Sequence, residues 1–166
     1  MTIHAGHPFA DPEPDTVRRF RGRVGGTVSL WTTGAGADRA GLTVTSYVVA
    51  NGEPARILGL LDPDADLTER LLENGTAVVA LLGWEDRDLA EMFGGTAPAP
   101  GGVFRQAAFT DTDWGPRLAT ATTWAGVRLE ATQEVGWSLL ATTTVEHVEA
   151  GGDDDPLRHR RGRFER

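Results

Sequence analysis

The stretch at residues 40–61, AGLTVTSYVVANGEPARILGLL, constrains the fold more than any other part of the chain. Leu42, Val44, Tyr47, Val48 and Val49 are strand-forming residues, and Asn51-Gly52 is a strong turn dipeptide. The almost wholly apolar run 56–61 follows. The stretch reads as a strand, a polar corner and a second, buried strand. Thr43, Thr45 and Ser46 place three hydroxyls within a few residues. An extended backbone lined in this way offers N–H, C=O and O–H groups to a flat polar ligand. The same composition also describes a threonine-rich surface strand.

Turn signals divide the rest of the chain in the same manner. The 21 Gly and 9 Pro among 166 residues favour a β-rich fold over a helix bundle. Residues 1–15 carry Pro8, Pro12 and Pro14 without periodicity, which marks a disordered or loosely attached arm. A short helix then opens at Asp15 or Thr16, with its arginines on a solvated face. Residues 24–33 alternate as a strand, and GAGADR at 34–39 turns it into the strand at 40. Leu67, Leu71 and Leu72 have helical spacing, with Asp66 as N-cap, Glu69 completing a capping box and Asn74-Gly75 as the stop. Residues 76–82 form a second buried strand, and 86–93 a short helix with Leu89, Met92 and Phe93 inward. Two long alternating runs, 118–131 and 136–149, form a second hairpin. Together these predict a barrel of six or so strands. The tail at 157–164, read alone, is a floppy basic end.

Charge and composition exclude several classes. The net charge of −8 disfavours nucleic acid as a partner, since phosphate neutralisation supplies most of that affinity. There is no cysteine, hence no disulfide or thiolate chemistry, and no lysine for a Schiff base or a P-loop. No apolar run reaches membrane-spanning length and the N-terminus has no signal-peptide core, so a cytoplasmic protein with no membrane partner is expected.

Four segments in order carry a resemblance: AGLTVTSYVVA at 40–50 with its following strand and acidic corner, DLAEMFGG at 88–95, WGPRLATATTWAGVRLEA at 114–131, and PLRHRRGRF at 156–164. Together they resemble the flavin reductase-like, FMN-binding split-barrel family over residues 16–166. The resemblance implies a mainly β fold, a closed antiparallel split β-barrel of Greek-key type with short flanking helices. It implies an NAD(P)H-dependent flavin reductase, or the reductase component of a two-component monooxygenase with that monooxygenase as partner. It further implies a homodimer, with apolar strands such as 76–82 supplying surface. FMN is the implied cofactor, with FAD, riboflavin or a deazaflavin as variants. The other reading is a non-catalytic split-barrel dimer that holds flavin, haem or another flat ligand.

The resemblance also implies roles for particular residues. Leu42, Thr43, Thr45, Ser46 and Phe93 would line the flavin. Asp62, Asp64 and Asp66 stand at the phosphate corner, where the family usually has hydroxyls at two of these positions. Three carboxylates repel a phosphate unless a cation intervenes. Arg161, within the Arg-rich tail, is expected to supply that cation. Trp137 occupies a position where many family members have His; it either stacks on a ring or serves as a core aromatic. Trp137, His159 and Arg160 would border the nicotinamide. No metal is expected: the alternating Asp corner resembles a calcium loop, but Leu67 stands where the sharp turn needs Gly.

Overall fold

The computed structural model describes residues 16–153 and 155–166. The expected arm at 1–15 lies outside the described residues. Helix α1 (Thr16–Val24) leads into β1 (Gly26–Thr27), β2 (Ser29–Thr33) and β3 (Ala40–Val44). Strands β4 (Tyr47–Ala50) and β5 (Arg56–Leu61), helix α2 (Asp66–Asn74), strand β6 (Thr76–Leu81) and helix α3 (Arg87–Phe93) follow. A short hairpin of β7 (Phe109–Thr112) and β8 (Gly115–Leu118) precedes the long pair β9 (Trp124–Val135) and β10 (Ser138–Glu149). Strands β11 (Arg158–Arg160) and β12 (Arg163–Glu165) end the chain.

Seven strands form one antiparallel sheet in the order β3-β2-β6-β9-β10-β5-β4. The end strands β3 and β4 are consecutive in the chain, with only Thr45 and Ser46 between them. Three residue steps span at most about 11 Å, whereas seven flat strands at about 4.8 Å spacing would be about 29 Å wide. The sheet must therefore curl into a half-barrel that brings its two end strands near each other where Thr45 and Ser46 join them. There the Leu60 N–H donates to the Ser46 carbonyl at 2.8 Å. The single strand expected over residues 40–50 is thus two strands. Its break carries the chain from one edge of the half-barrel to the other, a change no local pattern encodes. The long strands bend through register shifts at Thr142/Thr143 and Val145/His147.

Alternate residues of the strands face two cores. Inside the curl lie Trp31, Val44, Ile57, Leu61, Val79, Val127 and Ala141, closed by Leu67 and Leu71 of α2. On the other face Val28, Leu30, Val78 and Ala80 pack with Leu89 and Phe93 of α3, and with Leu118, Trp124 and Leu157. Strand β6 is therefore buried on both faces, which corrects the expectation that residues 76–82 offer an apolar surface. Leu89 and Phe93 of α3 are buried as expected, while Met92 is half-buried.

Two local expectations also change. Ala65, not Asp66, is the N-cap of α2, and no side chain caps it; Asp66 is the first helical residue. The Thr68 hydroxyl instead donates to the Asp62 carbonyl at 2.6 Å. Gly75 ends α2 as expected, in a left-handed conformation (φ 76°), its N–H bonded to the Leu71 carbonyl. The tail is no loose end. Strand β11 pairs with β1 and with β12, and the Arg161 N–H donates to the Gly22 carbonyl of α1 at 2.8 Å. Among the described residues, no helix is long and apolar enough to cross a membrane.

Candidate functional site

Where the chain crosses from β3 to β4, Thr45 and Ser46 stand between two adjoining recesses. One is a cavity of about 280 Å³ walled by Leu42, Thr43, Leu60, Asp62, Trp137 and Ser138. The other is an apolar groove of about 790 Å³ walled by Phe20, Val24, Tyr47, Val48, Leu58 and Leu140, with His159 at its edge. Both are lined by Arg21, Thr45, Ser46 and Leu60.

The polar groups at this seam are not equivalent. The Thr43 hydroxyl donates to the Ala90 carbonyl of α3 at 2.6 Å, so it ties β3 to that helix. The Ser46 hydroxyl accepts from Arg21 Nη2 at 2.8 Å. Thr45 has no side-chain partner among the described residues, and its hydroxyl remains available to a ligand. Burial of Tyr47 pushes its phenol up to about 12, which keeps it neutral and a hydrogen-bond donor.

The acidic corner contributes only one of its three carboxylates. Asp62 lines the smaller cavity, whereas Asp64 and Asp66 line neither recess. One Asp62 carboxylate oxygen accepts the Asp64 N–H at 2.9 Å, which closes the corner on itself. Trp137 sits at the β9–β10 turn and is 80% exposed at the cavity rim. That removes the core-aromatic alternative and leaves a free stacking face. Phe93 lies elsewhere: it is buried and packs edge-on against Phe104 and Phe109. It bears on β3 only from behind, because a Cβ on Gly41 would stand 2.5 Å from its ring.

The tail arginines are also displaced from the expected place. Arg160, Arg161 and Arg163 line a separate recess of about 440 Å³ with Phe164 and Glu165. None of the corner aspartates lines it. The cation at the cavity holding Asp62 is Arg21 of α1. The arginines of α1 are exposed, as their polar face predicts. The spacing of three puts Arg18 and Arg21 on one side of the helix, and that this side borders a recess is set by β3–β4, far along the chain.

The seam suits a flavin. The larger groove has apolar walls, few hydroxyls and a volume of about 790 Å³, within the range of cofactor clefts, and Thr45 and Ser46 border it together with the cavity that Trp137 rims. Among the described residues, no group of carboxylates and histidines could hold a metal ion.

Known proteins agree with this architecture. The chain is 34% identical over 79 residues to an FMN reductase (NADH), RutF, of Pseudomonas syringae, an alignment covering 46% of this chain and 44% of that relative. The chain thus matches under half the length of that relative. Among solved structures, it resembles the NADH:FAD oxidoreductase SgcE6 of Streptomyces globisporus C-1027 with a TM-score of 0.81, 22% identity and 90% of each chain covered. It also resembles the styrene monooxygenase flavin reductase of Pseudomonas putida S12 with a TM-score of 0.78, 21% identity, and 91% of this chain and 96% of that one covered. These structural likenesses show a shared fold. The sequence pattern of the flavin reductase like domain matches residues 21–166, and the chain belongs to that family.

Proposed function

We propose that this chain is a flavin reductase that uses NADH to reduce FMN, or a related flavin, held at the Thr45 and Ser46 seam. The observation that carries the reading is the position of that seam. The hydroxyl-bearing segment that resembles the family's flavin-binding turn is also where an apolar groove and a polar cavity adjoin. When bound, the flavin supplies the hydride-accepting ring, and the protein's task is binding and orientation. Thr45 and Ser46 hold the polar edge of the ring, with Leu42 and Leu60 as apolar walls. Trp137 and His159 border the nicotinamide. Arg160 and Arg161 face the anionic part of the dinucleotide rather than the flavin.

The same reading extends to assembly. The half-barrel closes across its seam, and two copies pair through the sheet face that carries Val48 and Leu60, which are 63% and 40% exposed. Such a patch on a soluble protein marks an interface. Residues 16–166 act as one unit in the cytoplasm, and the reduced flavin is handed to a monooxygenase, as the styrene monooxygenase relative suggests. Sedimentation at micromolar concentration tests the dimer, and a monomer there contradicts it. The activity is tested by following NADH and NADPH absorbance with added FMN. Flavin-dependent oxidation of NADH is expected, and no oxidation with any flavin would refute the reading.

A further inference from the structure

The protein carries a net charge of −8, yet no carboxylate lines the 790 Å³ groove. Its ionisable lining consists of Arg18 and Arg21 of α1, together with Tyr47 and His159. In the adjoining cavity Arg21 is the sole cation and Asp62 the sole anion. Arg21 makes no ion pair among the described residues and uses one N–H on Ser46. A guanidinium has five N–H donors, so most remain for a ligand. An unpaired arginine at the junction of two recesses, in an otherwise acidic protein, is suited to an anion.

From this geometry we infer that Arg21, assisted by Arg18 one turn earlier, binds the phosphate of the flavin. The inference rests on the flavin reading above and deepens it. The corner at 62–66 cannot do this work: Asp62 is anionic, and its side chain already accepts the Asp64 N–H. The tail arginines cannot either, because they line a different recess. Helix α1 therefore reads the charge of the cofactor, while Thr45 and Ser46 read its ring. Arg21 is exposed, so its contribution is screened by salt.

The test compares FMN with riboflavin, which has the same ring and no phosphate, by fluorescence titration of the full chain. Arg21→Gln should weaken FMN about 10- to 100-fold, the loss of a charge-assisted contact. Riboflavin affinity should change less than about threefold, since ring contacts remain. Arg21→Lys should keep most of the FMN preference, because it retains the charge. Asp62→Asn should tighten FMN relative to riboflavin, and the salt dependence of FMN binding should flatten in Arg21→Gln. Equal losses for both ligands, an unchanged FMN affinity, or a loss confined to NADH would overturn the assignment. A native chain that binds riboflavin and FMN alike would also overturn it while leaving the flavin site standing. A native chain that binds neither would overturn both.

Discussion

Ring carbon Cη2 of Trp31 lies 2.7 Å from the point where a Cβ on Gly59 would stand. Trp31 is on β2 and Gly59 on β5, with three strands between them in the sheet. The contact therefore crosses the interior of the curl, and the indole fills it. The indole is held there by its Nε1–H, which donates to the Ser29 hydroxyl at 3.1 Å; that hydroxyl donates in turn to the Val44 carbonyl. Gly59→Ala forces backbone and indole apart, a form of overpacking that costs about 1–3 kcal/mol. For a domain of this size the melting temperature should fall by about 2–4 °C per kcal/mol. A thermal melt indistinguishable from that of the native chain would show that the interior is not filled this way.

Thr43 and Thr45 look alike in the sequence and should behave differently. Thr43→Val removes the bond to the Ala90 carbonyl, which still accepts the Gly94 N–H. Stability should drop by about 1 kcal/mol, with flavin affinity kept within about threefold. Thr45→Val should leave the melting curve in place and weaken FMN and riboflavin alike by roughly 1–3 kcal/mol. Denaturant unfolding and flavin titration of both variants separate the two roles. The reverse pattern would exchange them.

The sequence displayed what is local. Strand β5, the helix ending at Gly75, the strand near 136–149 and the hydroxyl cluster of the seam follow from alternation, turn dipeptides and spacing. The strand expected over 118–131, by contrast, is divided: Leu118 ends β8, and β9 runs from Trp124 to Val135. What it hid depends on partners far along the chain. The break after Val44 arises because β3 pairs with β2 while β4 pairs with β5. The tail becomes a hairpin only because Gly26 and Thr27 pair with His159 and Arg158. Arg21 matters through its reach to Ser46, and the charge pattern of α1 alone cannot show that. Phe93 has the right spacing for an inward residue, but the sequence does not reveal that inward means the α3 core and not the seam.

Tyr47 is the single tyrosine of the chain, so tyrosinate absorbance reports it alone. Desolvation raises its phenol from 10.0 to about 12 in the folded protein. A raised folded value means that the neutral phenol stabilises the fold below the unfolded value of about 10. That contribution is lost as pH rises through 12. An alkaline titration of the flavin-free protein should show ionisation near 12 when folded and near 10 in denaturant. Ionisation near 10 in the folded chain would place the ring in solvent and open the groove wall.

The location of the flavin site can be tested by blocking it. Thr45→Trp fills the junction of the two recesses with a side chain that the adjoining space accommodates at the surface. The measurement is an FMN titration of the native chain beside this variant, with circular dichroism confirming an unchanged fold. The native chain should bind FMN to saturation and the folded variant should bind none. Saturable FMN binding by Thr45→Trp with native affinity would mean that the seam is not the flavin site.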